Sequence, residues 1–109
     1  MQLIKTIIRP QKLEEVQEAL SELRVSGMTI SEVLGRVEGP GVMKVHRGVE
    51  YIDRMRRQTQ IEFIVTDDVA DDAVRAILKT ARTGAVGDGV IVITPITGTY
   101  HIRTGDWSG

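Results

Sequence analysis

Two helix-period apolar stripes, each set between runs rich in Ile, Val and Thr, constrain this chain more than any other feature. Gln2 to Ile8 is a short apolar run closed by Arg9-Pro10, where proline cannot donate a ladder hydrogen bond, and it reads as a first strand. Leu13, Val16, Leu20 and Leu23 follow at helical spacing, with Glu14 and Glu15 in the first turn, where carboxylates suit the positive end of a helix. Gly27 reopens an extended segment, a second strand over Met28 to Leu34. Thr59 to Val65 alternates with Ile61, Phe63 and Val65 on one face and Glu62 and Ile64 on the other, a third strand. Asp67 and Asp68 then start a second helix whose stripe is Ala70, Val74, Ile77, Leu78 and Ala81, with Lys79 and Arg82 in its last turn. Val90 to Ile96 is a fourth strand, broken at Pro95, and Thr99 to Arg103 a short fifth.

The order is thus β-α-β, a long connection, then β-α-β, the split βαβ or ferredoxin-like pattern of the α+β class. With 109 residues the chain fits a single domain, 1–109, that buries roughly two-thirds of its unfolded surface. That is enough for a core and too little for a deep internal site, which predicts a ligand site at an edge or between subunits. Two helices on one face of four strands leave the other sheet face uncovered, and this predicts a homo-oligomer.

Between Gly35 and about Arg57 the periodicity fails, interrupted by Gly39, Pro40, Gly41 and Gly48. About twenty irregular residues are uncommon in a compact domain unless they form a lid or binding arm, so this loop is the expected contact surface. Six basic residues, Arg36, Lys44, Arg47, Arg54, Arg56 and Arg57, stand there against Glu38, Glu50 and Asp53, while the whole chain carries −1. That overall balance predicts no nucleic-acid partner. Cysteine is absent, and nothing at Met1 resembles a signal-type segment, so the expected setting is cytoplasmic, without disulfides and without membrane insertion.

Ala81 to Gly105 holds the chemistry. Gly84, Gly87 and Gly89 permit left-handed backbone and leave successive N–H groups unshielded, the makings of an anion-binding nest. The plain alternative is a glycine cap ending a helix. No Cys, no Ser/His/Asp constellation and no paired metal ligands point to catalysis, so the chain reads as a non-enzyme with no cofactor and no metal. A slow nucleotide-hydrolysing enzyme is the rival, distinguished by phosphate release at many turnovers per minute.

Thr83-Gly84-Ala85-Val86-Gly87-Asp88-Gly89, Ile102-Arg103-Thr104-Gly105 and Arg47-Gly48-Val49-Glu50-Tyr51 are similar, in register and over essentially the whole chain, to the B-loop, C-terminal signature and T-loop of the PII signal-transduction family. In those terms 36–57 is the T-loop, 82–89 the B-loop and 99–109 the C-terminal segment. The resemblance implies a homotrimer whose lateral clefts bind adenine nucleotides and whose T-loop docks on a membrane transporter or an enzyme. It implies Thr29, Glu62 and Ile64 around the adenine with Gly35 beside it, Gly87, Asp88 and Gly89 at the phosphates, and Arg103 arriving from a neighbour, while His101 is either a phosphate contact or a solvent-facing strand residue.

Departures from the family pattern carry as much information. Gly39 replaces a magnesium-binding glutamine, Gln58 a lysine that contacts 2-oxoglutarate, Val90 the lysine closing the B-loop, His101 an arginine, and Glu38 a basic residue. Each charge-assisted bond to phosphate is worth on the order of 1.5–3 kcal/mol, so the missing cations predict ADP or AMP in preference to ATP. Tyr51, modified in relatives, reads here as a packing or docking residue. Arg54, Arg56 and Arg57 are either a solvated loop base or a site for a small oxyanion such as bicarbonate, or for an acidic partner surface, and Arg47 joins them as a contact residue. The other expected reading is a nitrogen-regulatory PII that senses ATP and ADP.

Overall fold

A computed structural model describes residues 1–25 and 27–109. β1 (Gln2–Ile8) runs into a single 3-10 turn, Pro10–Lys12, and α1 (Leu13–Glu22). Arg24 closes α1 in the left-handed region at φ 64°, and the Val25 N–H returns to the Leu20 carbonyl at 3.1 Å. β2 (Met28–Arg36) leads into a hairpin, β3 (Val42–His46) and β4 (Val49–Asp53), and β5 (Met55–Val65) returns to the body. α2 (Asp67–Ala81), β6 (Val90–Pro95) and a small hairpin of β7 (Thr99–Tyr100) with β8 (Trp107–Ser108) complete the chain.

The main sheet has the order β2-β5-β1-β6, and every neighbouring pair is antiparallel, which is the ferredoxin-like arrangement that the helix and strand order predicts. Alternation along the strands sends Ile4, Thr6 and Ile8 of β1 and Ile61, Phe63 and Val65 of β5 under the helices. There they meet Val16 and Leu20 of α1 and Ala70, Ala73, Ile77 and Ala81 of α2 in one aliphatic core. Small residues on α2 let it lie close against α1. Thr6, fully buried, donates its hydroxyl to the Val90 carbonyl at 3.1 Å, so the one polar side chain at the centre of β1 is satisfied.

The opposite sheet face is not the uniformly apolar surface that composition suggests. Register brings Lys5, Glu62 and Thr29 into one cross-strand row and Ile7, Gln60 and Ser31 into the next, and Gln60 donates to Glu62 at 2.7 Å. Apolar side chains frame this polar centre, with Ile64, Val90 and Val92 exposed.

Two expectations are corrected. The segment from Gly35 to Arg57 is not an irregular loop: β2 continues to Arg36, β5 begins at Met55, and the residues between them form a β-ribbon that gives the molecule its 57 Å long axis. Its glycines fall where the ladder is interrupted, Gly39 and Gly41 between β2 and β3 and Gly48 in the turn, and the paired stretches on either side show no buried face to impose a period of two. In the C-terminal segment only Thr99 and Tyr100 of the expected fifth strand pair, and their partners are Trp107 and Ser108.

Candidate functional site

The glycine loop between α2 and β6 is built around one carboxylate. Asp88 accepts the Thr83 N–H at 2.8 Å, the Gly84 N–H at 2.8 Å, the Thr83 hydroxyl, and Arg9 Nε at 3.1 Å. Arg9 also donates through its second terminal nitrogen to the Val86 carbonyl at 2.9 Å. The Thr83 hydroxyl and backbone hold the Asp88 carboxyl far below the usual carboxylate range, with Gly84 and Arg9 adding to the effect. The N–H nest expected at Gly84 is therefore filled by the chain's own anion. Among the described residues, no hydrogen bond engages the N–H groups of Gly87, Asp88 or Gly89, and these remain free to meet an external anion.

Glycine is required in this loop for space as well as angle. Gly87, at φ 100°, lies beside the Arg9 guanidinium, and Gly89, at φ 105°, lies so close under the Ile7 carbonyl that a Cβ has no room. The chain thus presses the loop onto the end of β1 and rigidifies it before any ligand arrives.

The other expected nucleotide residues fall into separate groups. Thr29 and Glu62 face each other across β2 and β5, and with Ile64 and His101 they line a cleft of about 780 Å³ that Tyr100 and Arg24 also border. Gly35 is not with them. It sits six residues further along β2, roughly 20 Å at strand rise, packed beneath the buried Gln58 side chain. Gln58 in turn shares a hollow with Gly87, Arg9, Arg56 and Arg57, so Gly35 belongs to the glycine-loop end. Arg103 projects from the turn of the β7–β8 hairpin, whose His101 N–H donates to the Asp106 carbonyl at 2.9 Å.

Thr29 and the glycine loop occupy opposite edges of the sheet. Thr29 lies on β2, the glycine loop feeds β6, and β5 and β1 stand between them, three strand spacings or about 14 Å.

The hairpin arm is pinned at its base by ion pairing and at its tip by turn geometry. Lys44 Nζ meets Asp53 Oδ2 at 2.6 Å, and the other Asp53 oxygen accepts the Met55 N–H at 2.8 Å. Lys44 lowers the Asp53 pKa, and Asp53 raises that of Lys44. Arg47, at φ 51°, and Gly48, at φ 77°, form the two-residue tip. Arg56 donates to the carbonyls of Met55 at 2.9 Å, Asp53 at 3.2 Å and Pro40 at 3.4 Å, so it fastens the arm to the sheet. Arg54 lines a different depression, with Arg36, Glu38 and Gly39, and is not clustered with Arg56 and Arg57. Tyr51 stands opposite Lys44 on β4 and is exposed.

Sequence reading misses Arg9, whose place before Pro10 suggests only a strand end, and the Lys44–Asp53 pair. Among the described residues no group of His, Cys, Asp and Glu side chains has metal-binding geometry, and no helix is long and apolar enough to cross a membrane.

The profile of the family described as nitrogen regulatory protein P-II matches residues 1–106, the span that holds the sheet, the glycine loop and the hairpin arm. The chain belongs to the P-II family. A curated relative, nitrogen regulatory protein P-II of Klebsiella oxytoca, is 42% identical over 106 residues, covering 97% of this chain and 95% of the relative. Nitrogen regulatory protein P-II 1 of Escherichia coli K12 is 41% identical over the same span, and P-II of Pasteurella multocida 39%. This chain is therefore a P-II family regulatory protein, with its glycine loop held by Asp88 and Arg9 and its long connection folded as a hairpin arm.

Proposed function

We propose that this protein is an adenine-nucleotide sensor in which each nucleotide is held between two copies of a homotrimer. The observation that carries the reading is the separation of the residue groups: Thr29, Glu62, Ile64 and His101 line a cleft on the β2–β5 side of the sheet, whereas Gly87 to Gly89 lead into β6 at the other edge. Apposing unlike edges of two copies makes one complete site from two halves. Arg103, carried on a projecting turn next to the first group, is the cation that crosses to the neighbour's B-loop.

The preferred ligand is ADP or AMP. The free N–H groups of Gly87 to Gly89 serve the nearer phosphates, whereas Val90 and His101 supply fewer permanent charges for a third. The nucleotide then biases the T-loop ribbon between arrangements that do and do not dock on a membrane transporter or enzyme, which requires different affinity for the two. Arg57 and Gln58, beside Gly87, suit a small oxyanion such as bicarbonate as second effector, whereas Arg56 is engaged in holding the arm. A second reading, nitrogen control through ATP and ADP, draws support from the names of the relatives.

Isothermal calorimetry with ADP, AMP and ATP tests the proposal. ADP or AMP binding at least about tenfold more tightly than ATP, a difference of about 1.4 kcal/mol, is the expected result. ATP binding tenfold more tightly than both sinks it in favour of the second reading.

A further inference from the structure

Among the described residues the only side chains carried at clearly positive φ are those of Arg24, at 64°, and Arg47, at 51°; every other such position is glycine. Arg47 sits at the tip of a tight hairpin, where the turn demands the angle. Arg24 stands just past the end of α1, where glycine closes a helix freely and an L side chain is disfavoured by the approach of its Cβ to the backbone. Nothing in the fold offsets that cost. The Arg24 side chain is exposed, and among the described residues no ion pair or hydrogen bond engages its guanidinium. Backbone strain kept without a structural return points to a use.

Arg24 lines the 780 Å³ cleft together with Thr29, Glu62 and Ile64, and so does Tyr100, which is 71% exposed on β7. Tyr100 is braced rather than free: its ring and that of Trp107 have centroids 4.9 Å apart, and the Trp107 ring packs against Gly98 and Gly109. A guanidinium and a phenol are both flat groups that stack on the face of a heteroaromatic ring. The rest of the cleft suits such a ring. Ile64 offers a half-exposed apolar surface, and Glu62 accepts from Gln60 through Oε1 at 2.7 Å, which leaves Oε2 for a ring amino group. Phosphate binding does not account for Arg24, because the inter-copy site sets the phosphates at the neighbour's glycine loop with Arg103.

We propose that Arg24 and Tyr100 form a stacking clamp that closes on the purine ring and selects it over a smaller pyrimidine. This rests on the inter-copy nucleotide site proposed above and names the side chains that read its base. The clamp decides which base binds and is indifferent to how many phosphates follow it.

Calorimetry with ADP and UDP, which share ribose and diphosphate and differ in the ring, tests the clamp. The parent should bind ADP at least about tenfold more tightly than UDP, and a parent that binds both equally overturns the proposal. Arg24→Gly and Tyr100→Leu should each lower the ADP-to-UDP affinity ratio about fivefold, by weakening ADP. Tyr100→Phe should preserve the ratio because the ring stays, whereas Arg24→Lys should lower it because the charge stays without the plane. An Arg24→Lys protein with the parent's ratio overturns the stacking role. Arg24→Gly carries its own control for folding: glycine accepts the left-handed angle, so the thermal midpoint should hold or rise. A clear fall makes Arg24 a structural residue and overturns the proposal.

Trp107, the single tryptophan of the chain, gives a second readout, since a base stacked on Tyr100 alters the surroundings of the indole beside it. ADP should change Trp107 emission more than UDP does at equal saturation, and ADP binding that leaves the emission unmoved overturns the clamp. The two readings fail differently. A parent that binds neither nucleotide overturns the inter-copy site and the clamp with it. If Arg103→Ala weakens ADP while neither Arg24→Gly nor Tyr100→Leu moves the ADP-to-UDP ratio, the site stands and the clamp is wrong. Equal loss of ADP and UDP in Arg24→Gly places the arginine on the ribose or phosphates and likewise overturns it.

Discussion

Arg9 and Asp88, 79 residues apart in sequence, meet through Nε and Oδ1 at 3.1 Å, and this contact joins the end of the first strand to the glycine loop. Both side chains are about a quarter exposed. Screening by solvent therefore limits what the pair adds to global stability, and its effect falls chiefly on loop geometry. Arg9→Ala should leave the thermal midpoint within a few degrees of the parent and weaken ADP binding about tenfold by calorimetry, since it frees the Val86 carbonyl and one side of Asp88 together. An unchanged ADP affinity would show that the loop is ordered without the latch.

Asp88 also sets a pH dependence. Its carboxyl is held below its ordinary value, so its contribution to loop order is fully present above about pH 4, the unfolded range, and is lost as pH falls through the lower folded value. ADP affinity should therefore be insensitive to Asp88 between about pH 5 and 8. Proton NMR of the Thr83 and Gly84 amides on acidification should show their hydrogen bonds surviving to lower pH than an ordinary aspartate allows; early loss, near pH 4, contradicts this.

Gly89→Ala places a methyl group against the Ile7 carbonyl at a backbone angle alanine avoids. The chain must shift or strain, at a cost of about 1–3 kcal/mol. Urea titration should register this as a lower midpoint with unchanged slope. Parent-like stability would mean the loop relaxes freely, contrary to its tight seat on β1.

The hairpin arm should keep its order across a wide pH window. Asp53 is lowered by its bond to Lys44, and that contribution is present above about pH 4 and lost as pH falls through the folded value. Lys44 is raised by Asp53, and its contribution is present below about pH 10 and lost as pH rises through the folded value. Amide exchange at Val45 and Ile52 should show protection intact between those limits, reduced in Lys44→Ala and reduced by high salt. Protection independent of Lys44 would assign the ribbon's order to its turn. The turn is testable separately: Arg47→Asn, at the left-handed position, should slow exchange at the same amides by relieving about 1 kcal/mol of backbone strain.

Val90→Lys with His101→Arg restores two cations expected to face a terminal phosphate. Val90 is half exposed and leads an edge strand, so the lysine is accommodated without disturbing the core. The ratio of ATP to ADP affinity should rise about tenfold or more, measured by calorimetry against the parent. A ratio that does not move removes the charge argument for ADP preference.

The helices and the four body strands were legible because their burial is periodic. Ile61, Phe63 and Val65 face a core and repeat every second residue, and Val16 and Leu20 repeat at helical spacing. The hairpin arm was not legible, because Met43, Val45, Val49 and Ile52 are all exposed and no core enforces their alternation. The glycine loop was recognisable from its spacing, yet its nest turned out to be occupied by Asp88, and Gly35 packed against Gln58, which shares a hollow with Gly87, rather than beside Thr29.

The amino-acid sequence alone determined the order of the two helices and four body strands, the helix faces, the glycine loop and the family, since each is written in local spacing or in short motifs. Only the tertiary structure decided which residues share a site. Strand order sends Thr29 and Gly89 to opposite edges, register fixes the row that pairs Thr29 with Glu62, and chain crossing brings Arg9 to Asp88. Those are through-space relations among residues far apart in the chain, set by how the sheet is threaded, and no local periodicity encodes them.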